Sequence, residues 1–235
     1  IYTLSLHDAL PICQVCETEE AQHTHDPPTP RTAMSPEIPN LVLSNGKAMP
    51  QFGFGTFKIS PEDTFDAVSS ALELGYRHID TAQMYGNEVE VGRAIAESGI
   101  PREQIFLTSK LNNRNHEPQA ARDSFKQSLE DLQSDYVDLF LVHWPLPGLY
   151  EGNVALPWPV LEEFYDLGQA QAIGLSNYQA SHIDEVLKVA SVSPHVLQIE
   201  AHPYLPNNAL RDYARSLGME PGRSEERRVG KECRS

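Results

Sequence analysis

From Gln51 onward, short apolar runs alternate with segments whose apolar residues recur at helical spacing. Such an alternation of strand and helix patterns is typical of α/β folds with a parallel sheet. No Gly-x-Gly-x-x-Gly follows the first run, which argues against a dinucleotide-binding Rossmann turn. The pattern therefore predicts a parallel (β/α)8 TIM barrel of which about six units are present. The predicted strands centre on Phe52–Phe57, His78–Asp80, Ile105–Ser109, Val137–His143, Ala172–Ser176 and Leu197–Glu200.

Several predicted elements have recognisable ends. Ser60-Pro61 places a capping hydroxyl and a proline at the start of the first helix, and Gly75 marks its end. Asn87 is the predicted N-cap of the second helix. Ahead of the barrel, Asn45-Gly46 lies in the middle of Leu41–Met49, and this dipeptide is a good local signal for a hairpin turn. We therefore predict an N-terminal β-hairpin.

Composition limits the classes of partner. The 235 residues are 40% hydrophobic, which is enough for one substantial core. The formal net charge of −15 argues against nucleic acids and anionic membranes, because both bind basic surfaces. No apolar run approaches the length of about 20 residues that spans a bilayer. We expect a small-molecule partner, while the oligomeric state stays open.

Both ends of the chain resemble translated sequencing adaptor. Ile1–Ile12 and Arg223–Ser235 can be read from opposite strands of one oligonucleotide, which unrelated protein termini would not share. Cys13–Ala33 is polar and rich in proline, as in disordered segments. We expect translation to start at Met34 and the reading frame to be truncated. The predicted division is an adaptor-like and disordered leader at 1–33, a truncated barrel at 34–222 and an adaptor-like tail at 223–235.

The cysteines lie outside the predicted barrel. Cys13 and Cys16 form a CxxC in the leader, and Cys233 lies in the tail. A single CxxC without a second pair or a βαβ context is weak evidence for zinc binding or redox chemistry. Because the body contains no cysteine, it needs no oxidising compartment, and we expect a cytoplasmic protein.

Four polar residues stand where predicted strands end. Asp80 and Tyr85 follow the second strand, Lys110 ends the third and His143 ends the fourth. The carboxyl ends of barrel strands converge on one mouth, where barrel enzymes have their active sites. Taken singly, each residue also has an ordinary interpretation as a loop, packing, solvated or core residue. Their joint placement favours an active site.

These four side chains suit proton donation to a carbonyl. The ordinary pKa of a tyrosine phenol is about 10, too high for efficient acid–base work at neutral pH. A nearby ammonium favours the phenolate, and a carboxylate keeps that ammonium charged and in place. The expected roles are Tyr85 as general acid, Lys110 as its tuning group and Asp80 as the anchor of Lys110. His143 would then orient the substrate oxygen.

The motifs resemble those of the aldo-keto reductases, and most closely the bacterial members similar to 2,5-diketo-gluconate reductases. The similarity covers about Leu41–Pro221. Gly75–Glu88 is similar to the first family signature and Leu141–Pro145 to the segment that carries the family histidine. The resemblance implies an NADPH-dependent (β/α)8 barrel that reduces aldehydes or ketones. It also implies that the hairpin closes the barrel floor, and it places the catalytic tetrad on Asp80, Tyr85, Lys110 and His143.

Further roles follow from the same resemblance. Ser176, Asn177 and Gln198 would hold the nicotinamide carboxamide, and Thr56 would lie near the ribose or phosphates of NADPH. Trp144 would line the substrate pocket beside His143. From the residues alone, a polar turn at Ser176-Asn177, a capped strand end at Gln198 and ordinary packing of Trp144 remain open.

The resemblance also points to features that the chain lacks. The family's stacking tyrosine on the seventh strand and its basic loop for the 2′-phosphate would lie beyond Pro221, so the preference for NADPH over NADH stays open. We expect the intact gene product to be active and this fragment to be inactive or unfolded. Leu146–Pro157 is the surviving candidate for a substrate loop, but it does not identify the aldehyde or ketone.

Two other functions remain open. A metal-dependent hydrolase could draw ligands from His78, Asp80, His143 and His202, although no His-x-His pair lies within 34–222 and Tyr85 and Lys110 would then have no role. We therefore expect no metal. The second alternative is a regulatory subunit that binds a nicotinamide cofactor on the same barrel without catalysis, because a fold does not determine its function.

Overall fold

The computed structural model describes residues 2–4 and 38–224. Its strands are β1 (Tyr2–Leu4), β2 (Asn40–Val42), β3 (Ala48–Pro50), β4 (Phe52–Gly55), β5 (His78–Asp80), β6 (Phe106–Leu111), β7 (Leu139–Val142), β8 (Ile173–Ser176), β9 (Val196–Glu200) and β10 (Glu220–Ser224). Its helices are α1 (Pro61–Glu73), α2 (Glu88–Glu97), α3 (Pro118–Asp131), α4 (Trp158–Asp166), α5 (Ala180–Val189) and α6 (Asn208–Ser216). Single turns of 3-10 helix cover Gln83–Tyr85, Arg102–Gln104 and Tyr150–Gly152.

The main sheet has eight parallel strands in the order β1-β4-β5-β6-β7-β8-β9-β10. From β4 to β10 the order follows the chain, and a helix stands between each strand and the next, as in a (β/α)8 barrel. The predicted fold class is therefore confirmed. In the described residues, no helix is long and apolar enough to cross a membrane.

The unit count is the main difference from the sequence expectation. A seventh strand in the series, β10, pairs with β9 where the adaptor-like tail was expected to begin, and it includes Arg223 and Ser224. Its sequence Glu-Pro-Gly-Arg-Ser carries no strand pattern, and pairing of its backbone with β9 is what makes it a strand. Likewise Tyr2–Leu4, which belongs to the adaptor-like leader, pairs with Phe52–Phe54. An open sheet edge accepts a backbone whatever its side chains.

The boundaries at residues 33/34 and 222/223 remain predictions. The predicted start at Met34, the CxxC at Cys13 and Cys16, and Cys233 lie outside the described residues.

Helix α1 begins as predicted. Ser60 is extended, with φ −64° and ψ 152°, and its Oγ accepts a hydrogen bond from the Asp63 amide at 3.4 Å. Pro61 occupies the first turn, where its missing N–H has no intrahelical partner to lose. Gly75, at φ +98°, takes the chain out of the helix through a conformation that a side chain would strain.

The predicted hairpin is confirmed as β2 and β3, which pair antiparallel around Gly46 at φ +84°. Its Leu43 and Met49 are buried. They pack on Phe106, Leu139, Ala172 and Val196, which lie at or next to the amino ends of four barrel strands, and on Leu141. The hairpin therefore covers the barrel floor, opposite the mouth.

A buried carboxylate, that of Asp138, holds the hairpin against the barrel strands. Asp138 is 3% exposed and accepts hydrogen bonds from Lys47 of the hairpin at 2.7 Å, from Arg102 at 2.9 Å and from the Leu107 amide at 2.9 Å. Lys47 also donates to Gln171. One acidic side chain thus joins the hairpin to the strands that it covers.

Replacing Asp138 by alanine should lower the free energy of unfolding by about 3 kcal/mol, because two cations and a buried amide lose their acceptor. Urea unfolding measures the change. The matched control is Asp135→Ala, an exposed aspartate in the same connection, which should stay within about 0.5 kcal/mol of the parent. Equal stability of the two variants would show that the floor contacts contribute nothing net.

Helices α2 and α3 pack very closely. A Cβ on Gly92 of α2 would lie 2.5 Å from the backbone oxygen of Asp131, so no larger residue fits without movement. This approach buries Glu88 at the start of α2 and Ser128 near the end of α3.

Candidate active site

The predicted polar residues converge at the carboxyl ends of the strands. Asp80 is the last residue of β5, Ser176 the last of β8, and His143 follows β7 directly. Lys110 is the last residue but one of β6, and Gln198 of β9 is in register with Ser176. All five side chains are buried. Because the strands are parallel, residues far apart in the sequence meet at one mouth.

Lys110 is the centre of this group. Its side chain is 0% exposed, and its ammonium donates to Asp80 Oδ1, to the Thr81 carbonyl at 3.0 Å and to the Tyr85 hydroxyl oxygen at 3.2 Å. Asp80 is 0% exposed as well and balances the lysine charge. A buried ammonium with a carboxylate on one side can stabilise negative charge on the tyrosine oxygen on the other.

Tyr85 reaches Lys110 from a short turn. Residues Gln83–Tyr85 form a single 3-10 turn that ends at Gly86, whose φ of +69° lets the chain reverse. The half-buried Tyr85 ring lies between Phe57, at 5.2 Å between centroids, and His143, at 5.8 Å in an edge arrangement. The structure thus brings Asp80, Tyr85, Lys110 and His143 together, as the sequence predicts.

Gln198 extends the cluster. Its Nε2 donates to Asp80 Oδ2 at 2.6 Å, so the carboxylate has a partner on each oxygen. The Gln198 side chain is 2% exposed, yet in the described part of the chain its Oε1 has no hydrogen-bond partner. A buried amide oxygen without a donor is costly, and a ligand N–H would satisfy it.

The turn after β8 lies beside His143. Asn177 is left-handed, with φ +64°, and its Nδ2 donates to the His143 carbonyl at 3.1 Å and to Ser176 Oγ at 3.0 Å. Trp144, the other predicted pocket residue, is half-buried. Through these two hydrogen bonds, Ser176 and Asn177, the predicted carboxamide-binding residues of this turn, lie next to the cluster.

Thr56 and Asn87 make hydrogen bonds within the protein that their positions in the sequence do not predict. The Thr56 hydroxyl is buried and donates to Thr81 Oγ1 at 3.0 Å, so it already has a protein partner. Asn87 occupies the predicted N-cap position of α2, but its side chain makes no capping bond. Its Nδ2 instead donates to the carbonyls of Thr56 and Ile59 at 3.1 and 3.2 Å. Tertiary contacts use the amide that the sequence assigned to capping.

A buried carboxylate, that of Glu88, is hydrogen-bonded on the opposite side of β6 from Lys110. The sequence analysis did not predict this contact. Glu88 is 7% exposed and accepts hydrogen bonds from Ser109 Oγ at 2.6 Å and from Ser128 Oγ at 3.0 Å. Burial raises the pKa of Glu88 to about 7, although both hydroxyls favour its charged form. A signal was present in the sequence: Glu88 stands three and seven residues before the buried Val91 and Ile95, on the inward face of α2.

The loops after β6 and β7 meet beside the mouth. Tyr150 donates its hydroxyl to the Asn113 carbonyl at 2.8 Å, and its ring stacks on His116 at 5.0 Å. Burial lowers the pKa of His116 to about 4, so its imidazole is neutral near pH 7. Tyr178 fixes the other end of the second loop by donating to the Val154 carbonyl at 2.8 Å.

The sequence profile of the Aldo/keto reductase family matches residues 49–221, which include all the residues described in this site. The chain belongs to the aldo/keto reductase family. The resemblance stated from the motifs is therefore confirmed.

Individual relatives agree with the family match. Aldo-keto reductase family 1 member A1 of Rattus norvegicus is 41% identical over 202 residues, covering 77% of this chain and 62% of the relative. Glyoxal reductase of Bacillus subtilis (strain 168) is 44% identical over 181 residues, covering 77% and 64%. A crystal structure of an aldo/keto reductase from Brucella melitensis superposes with a TM-score of 0.75 at 38% identity, covering 79% of this chain and 72% of that one. The chain thus spans less than two thirds of the length of the first two relatives.

In this aldo/keto reductase chain, the residues considered for a metal hydrolase are engaged elsewhere. His78 Nε2 lies 3.0 Å from Thr108 Oγ1, and His202 Nε2 lies 3.3 Å from Glu200. Across residues 2–4 and 38–224, no three His, Cys, Asp or Glu side chains are grouped as metal ligands. Asp80 and His143 belong instead to the cluster around Lys110 and Tyr85.

Proposed function

We propose that this protein is an NADPH-dependent carbonyl reductase in which Tyr85 is the general acid. The observation that carries the proposal is the contact of the Lys110 ammonium with the Tyr85 oxygen at 3.2 Å, with Asp80 on the other side of the lysine. Membership in a family whose relatives are named as reductases supports the reaction class.

The buried amide oxygen of Gln198 fits a nicotinamide. A carboxamide offers two N–H donors and one acceptor, and Gln198 Oε1 is an acceptor without a protein donor in the described residues. Ser176 and Asn177 stand beside His143 and would complete the carboxamide site. When bound, NADPH would supply the hydride that adds to the carbonyl carbon.

The side chains of the cluster supply the proton that the carbonyl oxygen needs. Tyr85 donates its hydroxyl proton to the carbonyl oxygen as that oxygen becomes an alcohol. The phenolate that remains lies next to the Lys110 ammonium, which stabilises the negative charge without rearrangement. Asp80 keeps the lysine charged and in place, and His143, next to the Tyr85 ring, orients the substrate oxygen. Water then returns a proton to Tyr85.

The proposed substrates are small aldehydes and ketones. Glyoxal is the first to test, because the Bacillus subtilis relative is named glyoxal reductase. We place the protein in the cytoplasm, since the segment 34–222 contains no cysteine. Because we expect the fragment by itself to be inactive, the test uses the intact gene product: it follows the loss of NADPH absorbance with glyoxal and a panel of other carbonyl compounds, and is repeated with NADH. Cofactor binding without turnover of any of them would favour the regulatory subunit.

Replacing Gln198 by leucine should weaken NADPH binding about tenfold, because a carboxamide N–H would lose its acceptor. Fluorescence titration of NADPH measures the dissociation constant. The control is Gln119→Leu on the exposed face of α3, which should leave the constant unchanged. Equal affinity of the two variants would remove Gln198 from the cofactor site.

A further inference from the structure

Glu88 is a buried titratable group that the proposed proton transfer does not use. It lies at the start of α2, three residues after Tyr85, and its two carboxylate oxygens have different partners. Both partners are serine hydroxyls that are buried with it. A buried carboxylate with a separate hydroxyl on each oxygen is held in one orientation.

The first oxygen acts on the strand that carries Lys110. Glu88 Oε1 accepts from Ser109 Oγ at 2.6 Å, and Ser109 directly precedes Lys110 in β6. Neighbouring side chains of a strand point to opposite faces, so Ser109 holds β6 from the face opposite to Lys110. The strand end is therefore held by Asp80 on one face and by Glu88 on the other.

The second oxygen acts on the turn that carries Tyr85. Glu88 Oε2 accepts from Ser128 Oγ at 3.0 Å, and the same Ser128 oxygen accepts from Gln83 Nε2 at 3.0 Å. Gln83 is in the same 3-10 turn as Tyr85, and its Oε1 accepts from the Asn112 amide at 2.8 Å. Asn112 follows the last residue of β6. The turn is thus tied to the end of β6.

We propose that Glu88 is a positioning residue, which sets the contact between Tyr85 and Lys110 by holding the end of β6 through Ser109 and the Tyr85 turn through Ser128 and Gln83. This rests on the proposed function, since it is the proton transfer from Tyr85 that the contact serves. Misplacement of a proton donor slows the chemical step more than it weakens binding.

The charge of Glu88 makes the network sensitive to pH. Its pKa is raised to about 7 by burial and by the negative charge of Asp131 on α3, while Lys110 on β6 and the two serine hydroxyls lower it. Only the charged form accepts freely on both oxygens, and protonation converts one of them into a donor. Turnover should therefore rise as the pH increases through about 7, in step with the loss of the Glu88 proton.

The test compares the intact gene product with its Glu88→Gln variant in NADPH-dependent reduction of glyoxal. We expect kcat per folded molecule to fall about tenfold, both KM values to stay within about twofold, and the inflection near pH 7 to disappear. The matched control is Glu90→Gln, which removes the same charge from a half-buried position of the same helix and should leave all three unchanged. An unchanged kcat and pH profile in Glu88→Gln overturns the proposal.

A second variant covers the case in which Glu88→Gln fails to fold. Ser128→Ala removes only the arm that reaches Gln83, and it should also lower kcat several-fold, about fivefold, with unchanged KM. Where both variants fold, the double variant should lose little more than Glu88→Gln alone, because the two residues act in one chain. Full additivity contradicts the proposal.

An intact wild-type gene product that binds NADPH but reduces no carbonyl compound would refute the proposed function alone. Hydrogen exchange then decides the role of Glu88. The amides of Tyr85 and Asn112 should exchange about tenfold faster in Glu88→Gln than in wild type or Glu90→Gln, since they lie in the segments that the network joins. Equal exchange rates would overturn the positioning role as well.

Discussion

Replacing Tyr85 by phenylalanine in the intact gene product should lower NADPH-dependent carbonyl reduction about a thousandfold and leave NADPH binding unchanged. The ring is kept, so its packing against Phe57 and His143 survives. Only the hydroxyl is lost, and with it the group that Lys110 contacts at 3.2 Å. The product of hydride addition then has no positioned proton donor, which is the kind of contribution worth about a hundred- to ten-thousandfold in rate.

Initial rates with glyoxal and NADPH, together with a fluorescence titration of NADPH, measure the two quantities separately. The control is Tyr213→Phe, which removes a hydroxyl from α6 that donates to Asp184 outside the site, and it should keep normal turnover. A Tyr85→Phe variant that works at a near-normal rate would refute the acid role. Loss of both turnover and cofactor binding would instead indicate a structural defect.

Replacing Lys110 by methionine should lower the free energy of unfolding by about 3–5 kcal/mol. Methionine has a similar length, so the principal change is loss of the ammonium. Asp80 would then keep a buried charge at 0% exposure with Gln198 as its remaining described side-chain donor. Removing one partner of a buried ion pair is costly because the other stays desolvated and uncompensated.

The paired variant tests this explanation. Adding Asp80→Asn to Lys110→Met removes the unpaired charge and should recover most of the lost stability, since neutral replacements of a buried pair cost far less. Urea unfolding of the two single variants and the double variant measures the coupling. Lys126→Met, at the exposed pair with Glu130, should change stability by less than about 0.5 kcal/mol. Additive losses in the double variant would show that the two charges are independent.

The local signals in the sequence were enough for most of the barrel. Ser60 and Gly75 bound α1 because capping and left-handed turns depend on the residue itself. The Asn45-Gly46 turn set the hairpin in the same way. The strands were predicted from short apolar runs, of which Leu139–Val142 of β7 is the clearest, because parallel strands are buried on both faces. The tetrad could be assembled from strand ends alone, since the fold rule brings those ends together.

The sequence by itself therefore determined the helices and strands and the residue types at their ends. These features depend on each residue and its near neighbours along the chain. Only the tertiary structure decided the partners. It turned Asn87 from a cap into a bridge to Thr56 and made Glu-Pro-Gly-Arg-Ser a strand. It also joined Gln198 to Asp80 and buried Glu88 behind Lys110. These contacts link residues on separate elements, and their energies exist only after the barrel has packed.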